Sequence, residues 1–376
     1  SDYTKLKSVL TEIKKDISLQ LEIVAFGTHL LDDYGNTIEE IKKDKHNIVA
    51  TLFTNVEGSN TAAMSKSIGL AIIELTTILS TSKPDIVLLV GDRYEIIAAA
   101  IAATINNIPV AHIQGGEISG TIDEVLRHSI TKLSHIHLSS TEKSKKRIIK
   151  MGENPNFVFN VGCPAIDFIK NQKYIEKAEM NMDPFFKKIN LDFNDDYFIL
   201  IQHPVTTEYA HSGHQMMEVL EAVQQIGIQT ILIYPNPDAG STKMLRSERI
   251  FSSKYKKNNV FLEKIKNISF KNYLNLLRNC SCLIGNSSSG IREAHAFDVP
   301  VINVGTRQQG RERTKNIIDV PCNRDELTAA IEIYKNKRIK STNLYGDGDS
   351  GQKIAKILHE IDLKQTLNKV FHDEGR

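Results

Sequence analysis

Short apolar runs alternate with longer amphipathic stretches from one end of the chain to the other. Leu21–Phe26, Asp85–Val90, Pro109–Ile113, His135–Leu138 and Phe157–Val161 form a first set. Tyr197–Gln202, Thr230–Tyr234, Val260–Glu263, Cys282–Gly285 and Pro300–Val304 form a second. Each run is rich in Ile, Val and Leu and too short for a helix, which suits a strand buried on both faces of a parallel sheet. Helical patterns such as Thr61–Leu79, Arg93–Ile105 and Ser269–Leu277 lie between the runs. This alternation predicts an α/β fold of doubly wound parallel sheets.

A chain of 376 residues exceeds one compact domain, so two Rossmann-like domains are expected. The polar stretch Asn171–Asp196 carries Pro184 and no clear strand, and reads as a linker with a bridging helix. The predicted boundaries are 1–170 for an N-terminal domain, 171–355 for a C-terminal domain, and 356–376 for a C-terminal helix packing back on the first. The amphipathic stretch Gln352–Leu367 supplies that helix. A Rossmann unit usually begins with a strand, yet Asp2–Ile17 reads as a helix. The first strand of such a unit and the loop after it are therefore expected to be absent from this numbering.

The net charge of +2 gives no electrostatic reason to expect nucleic acid or an anionic membrane as partner. No apolar run reaches membrane-span length and no secretory leader is present, although the chain opens without Met. A cytoplasmic protein is the expectation. Cys163, Cys280, Cys282 and Cys322 lack paired metal-ligand spacing and read as free thiols.

Ligands of doubly wound sheets bind at the carboxyl ends of strands. The polar clusters here fall there repeatedly: Gly91-Asp92-Arg93, Gln114-Gly115-Gly116-Glu117, His203-Pro204-Val205-Thr206-Thr207, Pro235-Asn236, Asn286-Ser287-Ser288-Ser289-Gly290 and Gly305-Thr306-Arg307. One such loop is ordinary helix capping; the set points to a functional rim.

Gly285–Gly290 combines small residues with a helix start, which suits a diphosphate. It is neither a Walker A loop nor the dinucleotide GxGxxG pattern. The alternative is a Ser-rich helix cap without a ligand. Arg307 suits a phosphate or a carboxylate. Glu293 suits ribose hydroxyls or a partner such as Arg292, and Asn236 suits a base, a phosphate or its own turn. Candidate acid–base groups are Asp92, Glu117, Asp123 and Glu124, with Asp123 and Arg127 spaced to pair on one helix face. His112, His128, His135 and His137 read mainly as packing or hydrogen-bonding groups, since no metal-ligand spacing such as HExxH occurs. His203 is the better functional histidine, projected by a turn that Pro204 fixes.

These motifs resemble the hydrolysing UDP-N-acetylglucosamine 2-epimerases, including those of sialic-acid and legionaminic-acid synthesis and the epimerase half of the animal bifunctional enzyme. The resemblance rests on Ser1–Leu6, Gly27–Thr37, Gly91–Arg93, Gly115–Lys132, Gln202–Thr207, Pro235–Gly240, Gly285–Glu293, Pro300–Arg307 and Tyr345–Gly348, and so covers nearly the whole chain. It implies a glycosyltransferase-B-like arrangement with the site in an interdomain cleft and UDP held mainly by the C-terminal domain. On matching positions His203, Asn236, Ser287, Ser288, Gly290, Glu293 and Arg307 look like nucleotide-side residues, with Thr4 and Arg93 on the other wall. Asp92, Asp123, Glu117 and His203 stand as catalytic candidates. The family implies no cofactor or metal, a homodimer or homotetramer, elimination of UDP to a 2-acetamidoglucal, and hydration to a free C2-inverted sugar. Two departures stand out. The family's Arg before the Ser-Asp-Tyr segment is either absent or outside this numbering, and Gln114 stands where the family commonly has a catalytic Glu. Gln transfers no proton, so either the chain is an inactive variant or the chemistry rests on Glu117, Asp92 or Asp123. The rival readings are a non-hydrolysing epimerase, a glycosyltransferase and a silent UDP-sugar-binding protein.

Overall fold

The computed structural model describes residues 2–31, 37–58, 60–255 and 262–373. Part of the motif Gly27–Thr37 and the start of the run Val260–Glu263 lie outside the described residues. The chain divides into two compact units. The first comprises Ser1–Ile118, Ile122–Asn171 and Asn343–Arg376, the second Ser119–Thr121 and Gln172–Thr342.

In the first unit β1 (Ile23–Phe26) pairs in parallel with β2 (Ile48–Leu52). A four-stranded parallel sheet holds β3 (Val87–Val90), β4 (Val110–Ile113), β5 (Ile136–Ser139) and β6 (Val158–Asn160) in sequence order. Every residue of β4 and β5 is buried, so these strands are mainly apolar, with His112, His137 and Ser139 as the polar exceptions. The Ile96–Ile105 helix buries Ala98, Ala99, Ala102 and Ala103, whose small side chains suit close packing with its neighbours. The Ser350–Glu360 helix belongs to this unit and packs Ile354 into a core with Val9, Val90 and Ile113. Asp167 caps its start, its carboxylate accepting from the N–H groups of Ser350 at 3.0 Å and Gly351 at 2.6 Å. That helix ends before Ile361 and a short one follows over Leu363–Thr366, so the single helix expected over Gln352–Leu367 is broken.

The Thr61–Ser82 helix corrects another expectation. It is long and apolar enough, by length and composition alone, to cross a membrane. Its Ala71, Leu75 and Leu79 nevertheless pack into the first unit's core beside Leu52, Leu89 and Ala98, while Leu70 and Ile73 are exposed.

The second unit is built on a six-stranded parallel sheet of β7 (Tyr197–Ile201), β8 (Gln229–Ile233), β9 (Leu262–Ile265), β10 (Cys282–Gly285), β11 (Val301–Val304) and β12 (Ile317–Val320). The spatial order is β12-β11-β10-β7-β8-β9. The chain winds outward from β7 to β9, then restarts at β10 on the other side. The boundary between β7 and β10 is therefore the topological switch point, where sheets of this kind bind ligands. The stretch Asn171–Asp196 is not a bare linker with a bridging helix. Within it Met180, Phe186 and Phe193 are fully buried, and Phe186, Phe193 and Tyr197 form a chain of edge-to-face rings.

Both units are Rossmann-like α/β folds, as the alternating pattern predicts. The four cysteines are free thiols, three of them buried and Cys322 partly so.

Candidate active site

The switch point of the second unit carries the nucleotide-side candidates. His203 follows β7 and Asn286 follows β10. The His203 backbone N–H donates to Asn286 Oδ1 at 2.7 Å, and Asn286 Nδ2 donates to the His203 carbonyl at 2.9 Å. One fully buried side chain thus holds both backbone polar groups of His203. The Asn236 backbone N–H donates to His203 Nδ1 at 3.1 Å. Nδ1 is therefore the acceptor and Nε2 carries the proton in the neutral ring. The Asn286 carbonyl accepts from Gln308 Nε2 at 2.9 Å and from Arg307 Nη1 at 3.3 Å. Asn286 thereby joins the loops bearing His203 and Arg307. Gly120, in the short Ser119–Thr121 segment of this unit, donates its N–H to the Arg307 carbonyl at 3.0 Å.

Ser287 caps the short Ser288–Arg292 helix by accepting from the Ser289 N–H. Ser288 sits at that helix start, and the Ser289 hydroxyl bonds to the Tyr273 phenol. Glu293 is buried where this helix gives way to a 3-10 turn. Packing requires both glycines of the segment. A Cβ on Gly285, at φ +123°, would lie 2.1 Å from the Ile201 carbonyl oxygen, and one on Gly290 would lie 2.8 Å from Val301 Cγ1.

The strand ends of the first unit gather the acid–base candidates. Gly91, at φ +78°, turns the chain out of β3 and presents Asp92. Arg127, wholly buried on the Asp123–Leu133 helix, forms an ion pair with Asp92. Its Nη1 also donates to the Glu117 carbonyl at 2.9 Å. On its own helix Arg127 Nη1 lies 3.9 Å from Glu124 Oε2, so the guanidinium does more than pair along one helix face: it reaches the loops after β3 and β4. Glu117 is buried and Asp123 half-buried in the first helical turn. His112 Nε2 lies 2.8 Å from the Gly91 carbonyl, to which it donates. Burial pushes the His112 pKa down to about 4, so the ring is neutral near pH 7.

Gln114 is fully buried at φ +67°, and its Nε2 contacts Cys163 Sγ at 3.3 Å. Arg93 pairs with Glu95 and lies over the Tyr94 ring. Thr4 is buried near the start of the Asp2–Lys15 helix. The other histidines serve structure: His128 bonds to Glu124, His135 accepts from the Val110 N–H, and His137 bonds to Glu153. Among the described residues no three His, Cys, Asp or Glu converge as metal ligands.

The family model for UDP-N-acetylglucosamine 2-epimerases matches residues 11–359. The chain belongs to that family. It is 38% identical over 371 residues to the hydrolysing UDP-N,N'-diacetylbacillosamine 2-epimerase of Legionella pneumophila, covering 98% of this chain and 96% of the relative. It is 33% identical to the Escherichia coli polysialic acid biosynthesis protein P7, covering 99% and 94%. The crystal structure of the Methanocaldococcus jannaschii UDP-GlcNAc 2-epimerase in complex with UDP-GlcNAc and UDP superposes with a TM-score of 0.79, at 23% identity over 95% of this chain and 96% of that one.

In this 2-epimerase family member, three residues that organise the candidate site escaped the sequence reading. Asn286 appeared only as part of a Ser-rich loop, Arg127 only as a helix-face partner, and Gln308 not at all. The signal available for Asn286 was its place directly after a strand. Its pairing with His203 is separated by 83 positions and has no local trace.

Proposed function

We propose that this 2-epimerase hydrolyses UDP-N-acetylglucosamine or a UDP-2,4-diacetamido-2,4,6-trideoxyhexose, releasing UDP and the free C2-inverted sugar for nonulosonic acid synthesis. The observation that carries this reading is the near-complete coverage by the hydrolysing relative from Legionella pneumophila. The local chemistry supports it. The His203 Nε2–H, Arg307 and the helix start at Ser288 are donors suited to a diphosphate. Asn236, Ser287 and Glu293 line the nucleotide side, while Gly290 contributes by seating the helix on its sheet.

The proposed reaction has two steps. A carboxylate of the first unit takes the C2 proton, the C–H electron pair becomes a C1–C2 double bond, and the C1–O pair leaves with UDP. Charge building on the departing diphosphate is met by Arg307 and its neighbours. Water then adds its hydroxyl to C1 while C2 regains a proton from the opposite face. Asp92, Glu117 and Asp123 are the groups able to move these protons. Gln114 is an amide and serves position, with Thr4 and Arg93 on the sugar side.

We further assign the protein to the cytoplasm and to a homodimer or homotetramer; the exposed Leu70 and Ile73 on one helix suit an interface. Incubation with UDP-GlcNAc and with UDP-2,4-diacetamido-2,4,6-trideoxyglucose, read by NMR, tests the activity. Release of UDP and a free manno-configured sugar is expected from at least one. A UDP-linked epimer would favour the non-hydrolysing reaction, and binding without turnover a silent binder.

A further inference from the structure

Arg127 has no solvent exposure, and a guanidinium removed from water is costly unless its partners compensate it. Its partners are not incidental. Asp92 comes from the turn after β3, the Glu117 carbonyl from the loop after β4, and Glu124 Oε2 lies 3.9 Å away on its own helix. The helix is held in turn by Thr131, whose hydroxyl donates to the Arg127 carbonyl at 3.0 Å and lies 3.3 Å from His112 Nδ1. His112 grips the Gly91 carbonyl beside Asp92. Arg127 is therefore where two strand-end loops with candidate carboxylates meet one helix.

We infer that Arg127 is a positioning residue that fixes Asp92 as the proton-accepting carboxylate and ties it to the Glu117 loop. The inference rests on the proposed reaction and on Asp92 taking part in it. A close cation favours the anionic form of a carboxylate, and only the anion accepts the C2 proton. Glu117 offers Arg127 its backbone carbonyl. With Asp92 removing the proton, its return falls to Glu117 or Asp123. Charged or titratable groups on the elements that meet here include Asp123, Glu124 and His128 on the helix, Arg93 and Glu95 after β3, His112 on β4 with His137 beside it on β5, and Arg147, bonded to the Gly116 carbonyl.

The test compares wild type with Arg127→Met, Arg127→Lys and Asp92→Asn. Turnover, KM and pH–rate profiles are measured with the two UDP-sugars, C2 labelling in deuterated water, and UDP affinity by calorimetry. Arg127→Met is expected to lower kcat at least about 100-fold, move the acidic limb of the rate profile to higher pH, and leave UDP affinity near wild type. Arg127→Lys is expected to keep the limb in place and recover part of the rate. If Arg127→Met does not fold, Arg127→Gln replaces it with the same expected limb shift, since it keeps donors for the Glu117 carbonyl without the charge. An unmoved limb, or a rate within about twofold of wild type, overturns the inference. Asp92→Asn separates the two levels: if it still turns over with C2 labelling, the assignment of Asp92 itself fails. If it is inactive while the Arg127 variants keep the wild-type profile, only the role of Arg127 fails.

Discussion

The Asn236 backbone N–H points at Nδ1 of His203 from 3.1 Å, which commits the other ring nitrogen to being the donor. A donor at Nε2 suits a phosphate oxygen and does not suit a base that must receive a proton there. The expected result of nitrogen NMR on the ring is the Nε2–H tautomer. His203→Gln, which keeps an amide donor, should bind UDP more tightly than His203→Ala. A ring found as the Nδ1–H tautomer would contradict this role.

Asn286 is the hinge of that arrangement. Asn286→Ala removes both bonds to the His203 backbone and leaves buried polar groups without their partner, a loss of about 1–3 kcal/mol each at most. A lower melting temperature is expected together with UDP binding weakened on the order of tenfold. Calorimetry and thermal denaturation read both. Unchanged UDP affinity would remove Asn286 from the nucleotide site.

Acid should destabilise the fold through His112. Burial holds its pKa at about 4 in the folded protein, against an ordinary value of 6.5. Between those values the unfolded chain binds a proton that the folded chain refuses, so stability falls as pH drops from 6.5 towards 4. The slope from this one group is at most about 1.4 kcal/mol per pH unit. His112→Asn should flatten the fall in melting temperature over that window. His137, also pushed down by burial although its bond to Glu153 opposes this, should keep part of the slope.

Gln114→Glu places a carboxyl in a fully buried position beside the Cys163 thiol. Burying a charge without a partner is unfavourable. Lower thermal stability and no gain of turnover are expected, with Asp92, Glu117 and Asp123 carrying the proton transfers. A large gain of turnover would show instead that a Glu is the group this position needs.

Much of the fold was legible because parallel strands buried on both faces are unbroken apolar runs. The strands that escaped are β2 and β12. In β2, Ile48–Leu52, burial alternates, and β12 stands at the sheet edge with Ile318 and Asp319 partly or fully exposed. Asp319 interrupts the apolar run of β12, whereas β2 is apolar except at Thr51 and differs from a core strand only in its alternating burial. The stretch before β7 misled for the opposite reason, since its buried Phe186 and Phe193 lie too far apart in a polar context to read as an element. At the site, position was legible and partnership was not. Asp92, His203 and Arg307 could be placed at strand ends, whereas the Asp92–Arg127 and His203–Asn286 pairings depend on which strands the sheet makes neighbours.

In the proposed reaction this 2-epimerase breaks the C2–H bond and expels UDP. Running the reaction in deuterated water, with mass spectrometry and NMR of the products, tests it most directly. One deuterium at C2 of a free manno-configured sugar, together with stoichiometric UDP, is the predicted result. Release of free sugar without deuterium at C2 would contradict it.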